Sequence, residues 1–222
     1  MNMATLINAV DQADKEITLW MNFDGGTFAD AIWWTFSSRL IWIIPAVGFL
    51  YYLYYRHCRL STAIIIITGL ILTVVACDQI SASVFKPFFM RLRPSHVETL
   101  SQSLHTVYGY KGGLYGFVSS HATNTFGTFA YASLLIRRRL TTVILLIFSL
   151  CVCYSRIYLG VHYLGDVIAG AMLGASTGCL MYLSTMVFND KIIHILSDIR
   201  KPVKVKPATT TGRLLYKLKS DM

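Results

Sequence analysis

The chain has 222 residues, of which 55% are hydrophobic and only 14% charged, with a mean hydropathy of +0.53. Soluble domains carry about 25% charged residues, so this composition argues against a soluble globular protein and for one that buries itself in lipid. The net charge of +9 would suggest nucleic acid in a soluble chain, but here it must first be placed on a topology.

Residues 1–30 lack a basic start followed by an apolar run, which predicts no cleavable signal peptide. Within an N-terminal segment 1–31, Leu6, Ile7, Val10, Ile17 and Trp20 recur at helical spacing. The charges interleaved with them predict a helix lying in the membrane interface rather than crossing it. Five later segments are apolar and long enough to span a bilayer, which takes about 20 residues. They run over 32–55, 61–85, 118–136, 140–159 and 163–188. The expected fold is therefore all-α: a polytopic membrane helix bundle forming a single domain over 1–222, with a basic tail at 189–222. In the fifth span Gly170, Gly174 and Gly178 recur every four residues and predict a small-residue ridge for close helix packing. The five cysteines Cys58, Cys77, Cys151, Cys153 and Cys179 show no metal-ligand spacing with histidine. They read as small packing residues.

The positive-inside rule orients the bundle. The "RHCR" run at 56–59, the "RRR" run at 137–139 and the eight Lys/Arg after Asn189 fall on one side if five spans alternate. That side is then the cytoplasm, with the C-terminus, and the tail rests on anionic lipid. The other side receives the acidic N-terminal segment, the 86–117 loop and the turn at 156–162. Most of the positive charge faces the inner leaflet, so the nucleic-acid reading loses its support. Membrane lipids become the expected partners.

Three polar clusters remain, all at the outer boundary: "KPFFMRLRP" (86–94), "VSSH" (118–121) and "SRIYLGVHYLGD" (155–166). An ionisable group at membrane depth costs several kcal/mol unless it is paired or wet, which marks these residues as functional suspects. Lys86, Arg93 and Arg156 supply three positive charges, and the arginine fork matches phosphate oxygens. Ser119 and the backbone N–H groups opening the third span sit at a helix N-terminus, a favourable place for an anion. His121 and His162 are two imidazoles. Asp166, four residues after His162, shares its face on a helix and can accept the Nδ1 proton, leaving Nε2 free to attack. Taken singly, Lys86 or Arg93 reads as a snorkelling residue, His162 as a helix-end histidine and Ser119 as a helix cap. Taken together, three bases, two histidines and one aspartate on one membrane face read as a phosphate site. Asp78 is a candidate partner for Lys86 or Arg93, or a water-linked packing residue. Arg91 reads as a surface residue. The 95–117 loop, with His96, Glu98, His105, Tyr108, Tyr110 and Lys111, reads as a solvated segment or as a lid over a headgroup.

At these residues the chain resembles the type 2 phosphatidic acid phosphatase family, whose pattern is K-x6-R-P, then P-S-G-H, then S-R-x5-H-x3-D. Lys86, Arg93 and Pro94 match the first part. Ser155, Arg156, His162 and Asp166 match the third. In the second, Ser119 and His121 match, while Val118 stands for proline and Ser120 for glycine. The resemblance covers roughly residues 78–170. It implies that His162 attacks phosphorus to give a phosphohistidine, oriented by Asp166, and that His121 protonates the leaving oxygen. Lys86, Arg93, Ser119, Ser120 and Arg156 then hold the phosphate, with no metal and no cofactor. The expected function is a lipid phosphatase of the bacterial inner membrane whose site faces the periplasm. Its expected substrate is a phosphorylated lipid, with undecaprenyl diphosphate or lipid A favoured over phosphatidylglycerol phosphate or phosphatidate. A vanadate-binding haloperoxidase-like site and a non-enzymatic lipid-binding protein are the other classes. The five spans argue against the first, and phosphate release would exclude the second.

Overall fold

A computed structural model describes residues 2–199 of the chain, with side chains as far as residue 192. The chain divides into two compact units, Met1–Met186 and Val187–Met222.

The first unit opens with α1 (Met3–Met21), capped by the Asn2 side chain, which accepts from the Ala4 N–H at 3.4 Å. Its apolar residues Leu6, Ile7, Val10, Ile17 and Trp20 are exposed, while Thr18 is buried. Next come α2 (Gly26–Ser37) and α3 (Ile43–Tyr55), joined by a 3₁₀ turn at Leu40–Trp42 and bent by 64° at the break. The expected uninterrupted first span is therefore a bent pair. The polar run "SSR" (37–39) interrupts the apolar pattern, and Ser38 turns to an extended conformation (φ −78°, ψ 157°).

α4 (Leu60–Gln79) runs through a π-helical stretch, Ile80–Phe85, into α5 (Lys86–Phe89), giving one apolar helix of 30 residues. It stops at Met90, whose φ of 45° is left-handed. A long connection follows, holding α6 (Glu98–Ser101) and two 3₁₀ turns. Among the described residues there is no strand beyond one isolated bridge between Leu92 and Tyr115. α7 (Ser120–Ile136), α8 (Arg139–Tyr158) and α9 (Leu164–Ile199) complete the helices.

By length and apolarity α4–α5, α8 and α9 can each cross a membrane, and the bent α2–α3 pair counts as a fourth when taken as one broken span. α7 has 17 residues, about 26 Å at 1.5 Å per residue, and packs against α4 and α8. Much of it is buried, Thr123, Thr125 and Tyr131 included, so protein rather than lipid surrounds its polar first turns. On another side the glycine ridge of α9 lets that helix approach α7 closely. A Cβ on Gly174 would lie 2.1 Å from the Thr123 carbonyl oxygen, and one on Gly178 would lie 2.2 Å from that of Gly127. Toward the basic loops the core gathers Leu53, Ile66, Tyr131 and Tyr182, with the Tyr131 hydroxyl donating to the Ile66 carbonyl at 3.0 Å. Toward the opposite end it gathers Val107, Tyr158, Leu159 and Val161. Large apolar residues such as Ile44, Ile64, Ile147 and Leu183 face outward, as a lipid-facing surface requires. The cysteines of the described residues are all free, and Cys77 and Cys153 are buried.

Of the second unit, α9 carries the chain as far as Ile199. The expected tail on the lipid surface, beyond residue 200, lies outside the described residues.

Candidate active site

The end of α8 shows how local sequence aims a site. Gly160 has φ +69°. Around it the Val161 N–H donates to the Arg156 carbonyl at 3.2 Å and the Gly160 N–H to the Ile157 carbonyl at 2.9 Å. This is the Schellman closure that a left-handed glycine allows. It reverses the chain within a few residues, so that Arg156, in the last turn of α8, and His162, in the loop, meet at one end of the bundle.

Asp166 sits in the first turn of α9 and is fully buried. Its Oδ2 accepts the Tyr163 N–H at 3.1 Å and lies 3.4 Å from His162 Nδ1. The expectation of a shared helix face is thus modified: His162 precedes the helix, and Asp166 reaches back over the N-terminus as the carboxylate of a capping box does. The Asp166 carboxylate is an acceptor, which places the proton on Nδ1 and leaves the Nε2 lone pair free. Gly116 must be glycine here, since a Cβ would stand 2.8 Å from Asp166 Oδ2. Burial, and then the charges of Arg93, Arg156 and Lys86, hold the His162 imidazole well below its ordinary titration range. It is unprotonated at neutral pH.

The three basic residues come from three elements. Lys86 follows the π-helical stretch, and its Nζ donates to Ser120 Oγ at 2.9 Å. Ser120 Oγ also accepts from the Ser81 hydroxyl at 2.9 Å. The serine that replaces the family's glycine therefore fixes the ammonium. Val118, which replaces the proline, follows a cis peptide bond. Arg93, 7% exposed, donates from Nε to the Tyr115 carbonyl at 3.2 Å. Gly112 leaves room for it: a Cβ there would be 2.3 Å from Arg93 Nη1. Burial and the nearby Arg156 charge lower the Arg93 guanidinium from its usual value. Arg156, 2% exposed, donates to the Ser37 hydroxyl, and its guanidinium lies 5.8 Å from the centre of the Tyr110 ring. Arg93 Nη1 and Arg156 Nε are buried without a partner. Buried cations that lack partners are costly, and an anion between them would relieve that cost.

Ser119 caps α7: its Oγ accepts the Ala122 N–H at 3.5 Å, and its own N–H donates to the Asp166 carbonyl at 3.0 Å. His121 lies one residue inside α7, with its ring against the Ser37 carbonyl. All eight residues singled out in the sequence thus lie in one constellation, at the end of the bundle where α5, α7, α8 and α9 meet.

Three other residues have places the sequence does not reveal. Arg91 is not a plain surface residue. Its Nη1 pairs with Asp166 Oδ1 at 2.9 Å, and its Nη2 pairs with Asp11 and Asp14 of α1, each at 2.9 Å. Its guanidinium stacks 4.0 Å above the centre of the Tyr163 ring. The one hint in the sequence is an acidic interfacial helix with Lys15 as its only nearby base. Ser37, at the end of α2, touches both Arg156 and His121. Asp78 accepts from the Asn124 side chain at 3.5 Å rather than from Lys86 or Arg93.

The connection over the site is pinned rather than merely solvated. Ser95 Oγ donates to the Lys111 carbonyl at 2.8 Å, and the Gly116 N–H to the Arg91 carbonyl at 2.8 Å. His105 lies 2.8 Å from Asp30, which also accepts from the Tyr158 hydroxyl at 2.7 Å. The Asn22 side chain donates to the carbonyls of Tyr158, His105 and Ile157 at 2.7, 3.0 and 3.1 Å. α1 closes the arrangement: Thr18 Oγ1 accepts the Leu164 N–H at 3.0 Å and Asp14 Oδ1 the Gly165 N–H at 2.8 Å. Two of the orphan donors at the start of α9 are thereby satisfied.

The family profile described as the PAP2 superfamily matches residues 62–190. A Porphyromonas gingivalis protein named lipid A 4′-phosphatase is 36% identical over 171 residues, covering 77% of this chain and 72% of the relative. A Bacteroides thetaiotaomicron protein of the same name is 31% identical over 212 residues, covering 95% and 92%. Among solved structures, Aquifex aeolicus LpxE is 22% identical, covers 75% of this chain and 92% of its own, and superposes with a TM-score of 0.51. A PAP2-type phosphatidylglycerolphosphate phosphatase from Bacillus subtilis is 21% identical and covers 83% and 88%, also with a TM-score of 0.51. At these identities the two structures show a shared fold.

Proposed function

The chain belongs to the PAP2 superfamily and is a multi-pass membrane lipid phosphatase; within that activity, we propose that it hydrolyses the 4′-phosphate monoester of a lipid A-type glycolipid. The support for this substrate is that the two relatives described above carry that name, one of them spanning nearly the whole chain. The observation that carries the chemistry is the set of buried, partly unpaired cations, Arg93 and Arg156 with Lys86, around an unprotonated His162.

In the proposed reaction His162 Nε2 attacks phosphorus while the bond from phosphorus to the sugar oxygen breaks, and His121 gives that oxygen its proton. The product is a phosphohistidine and a free sugar hydroxyl. Water then attacks the phosphohistidine, giving its proton to His121 and releasing phosphate, which restores both imidazoles. Asp166 accepts from Nδ1 throughout and stabilises the positive charge that grows on the ring. Lys86, Arg93, Arg156, Ser120 and the start of α7 at Ser119 hold the phosphate oxygens. Phosphoryl transfer needs mainly positioning and charge stabilisation, and these side chains supply both. Among the described residues, the one cluster with cation-ligand geometry is Asp24, Asp30 and His105. The proposed steps do not use it, and we propose a metal-independent reaction.

We further propose that the site faces the periplasm, that the whole chain is one catalytic domain, and that the basic tail is cytoplasmic. The charge asymmetry of the loops supports that orientation. The test is phosphate release by the purified protein from 4′-phosphorylated lipid A, 1-phosphorylated lipid A, undecaprenyl diphosphate and phosphatidylglycerol phosphate. The 4′-phosphate should be released fastest. A faster reaction on undecaprenyl diphosphate or phosphatidylglycerol phosphate overturns the substrate. A label from ³²P substrate that is acid-labile, base-stable and absent in His162→Ala would report the phosphohistidine. Turnover with no such label in rapid-quench samples would refute it.

A further inference from the structure

Beside the phosphate-binding side chains stand three aromatic residues that the reaction scheme leaves unused. Trp34 makes edge contacts with Tyr108 and Tyr110 at centroid distances of 5.3 and 5.5 Å and interplanar angles of 85° and 86°. All three keep exposed surface: 37% for Trp34, 70% for Tyr108 and 36% for Tyr110. Tyr108 is held outward by an unusual backbone, its φ of 51° followed by Gly109 at φ 67°. Left-handed geometry disfavours a bulky residue, so a smaller residue would suit this turn better unless the ring were needed.

Position says what such a ring would meet. In the reaction proposed above, His121 protonates the leaving oxygen, so the group carrying that oxygen lies on the His121 side. The His121 ring rests against the Ser37 carbonyl, and Trp34 is one helical turn before Ser37 on α2. Tyr110 joins the two regions, because the centre of its ring lies 5.8 Å from the Arg156 guanidinium. The leaving group therefore emerges against an aromatic wall. Aromatic faces carry negative charge and edges positive. A pyranose ring presents a flat face of weakly positive C–H bonds to such a surface, with its hydroxyls directed sideways to water. A glycerol backbone has no such face.

We propose that Trp34, Tyr108 and Tyr110 form a stacking platform for the sugar ring that carries the scissile phosphate, and so select phosphoglycolipids over phosphoglycerolipids. This rests on the reading of the site as one for a sugar-borne phosphate. The quantity to measure is the ratio of kcat/KM for 4′-phosphorylated lipid A to that for phosphatidylglycerol phosphate. The ratio is independent of the amount of folded enzyme. It is compared for wild type, Trp34→Leu, Tyr108→Leu, Tyr108→Phe and Tyr51→Leu, the last an exposed aromatic on α3. Each of Trp34→Leu and Tyr108→Leu should lower the ratio about five- to tenfold, the scale of one aromatic stacking contact. Tyr108→Phe should retain it, since the ring and not the hydroxyl stacks, and Tyr51→Leu should match wild type. Equal losses on both lipids would mean that the rings only anchor the chain in the interface as an aromatic belt, and would overturn the platform. A wild type that prefers the sugar lipid, with Leu variants that keep the preference, refutes the platform alone. A wild type that prefers the glycerol lipid refutes the substrate reading and the platform with it.

Discussion

At the scale of single residues, Arg91 is the side chain whose place matters most beyond the family motifs. It neutralises one oxygen of Asp166 while the other oxygen faces His162. Without it a fully buried carboxylate keeps one backbone donor and a long contact to an imidazole. Hydrogen bonds to charged groups are worth roughly 1.5–3 kcal/mol, so Arg91→Ala is expected to lower kcat/KM by about 10- to 100-fold, with Arg91→Lys recovering part of it. If Arg91 acts through Asp166, its loss should matter much less in an Asp166→Asn background; additive losses in that double-mutant cycle would refute the link. The two histidines are separable by leaving group. A sugar alkoxide needs a proton, whereas nitrophenolate largely does not. General acid catalysis is worth about 10²–10⁴-fold. His121→Ala should lose about that much in the first turnover on a lipid phosphate and far less on p-nitrophenyl phosphate. His162→Ala should lose heavily on both. Equal first-turnover losses for His121→Ala on the two substrates count against the acid role.

At the scale of elements, α9 is held at two places by unlike means. Its N-terminus is capped from outside by Asp14 and Thr18 of α1, which fixes where Asp166 stands. Further along, its glycine ridge allows the backbone of α7 to approach closely, which keeps His121 and Ser119 against the loop that carries His162. A methyl group at Gly174 cannot be accommodated without moving α7. Gly174→Ala is therefore expected to destabilise the protein by about 1–3 kcal/mol, the usual cost of overpacking, and to lower activity in parallel. Thermal unfolding in micelles would measure it, and an unchanged melting temperature would contradict the close packing. The π-helical stretch before Lys86 is a second such device. π-Bulges recur at functional sites, and this one carries Ser81, whose hydroxyl bonds to the Ser120 oxygen that also receives Lys86.

At the scale of the whole molecule, the predictions concern orientation and the anion site as a unit. A reporter active only in the periplasm should work when fused at residue 105 and fail when fused at residue 210. The opposite result would place the site on the cytoplasmic face. Vanadate should inhibit by occupying the phosphate position among Lys86, Arg93 and Arg156, and activity should survive excess EDTA. Activity lost to chelation and restored by Mg²⁺ would show that a cation takes part.

Hydropathy, loop charge and motif spacing are properties of the sequence itself, and they determined what is local. The apolar runs of α4, α8 and α9 specify membrane-crossing helices because each is long and apolar enough on its own terms. The glycine ridge specifies close packing because its four-residue period lies on one helix. The three spaced motifs name the basic residues, the histidines and the aspartate that meet at the end of the bundle. What only the tertiary structure decided is every contact between distant parts of the chain whose chemistry is locally ordinary. Arg91 meets Asp166 across 75 positions and Asp11 across 80, and in the sequence it looks like any interfacial arginine. Arg156 reaches Ser37 across 119 positions, and nothing near Ser37 distinguishes it. The bend that brings Ser37 there breaks a run that hydropathy reads as one span, because an average over apolar residues does not register a polar tripeptide whose partners lie elsewhere. Pairing of buried charge is a property of the assembled bundle, and hydropathy and spacing act along the chain alone.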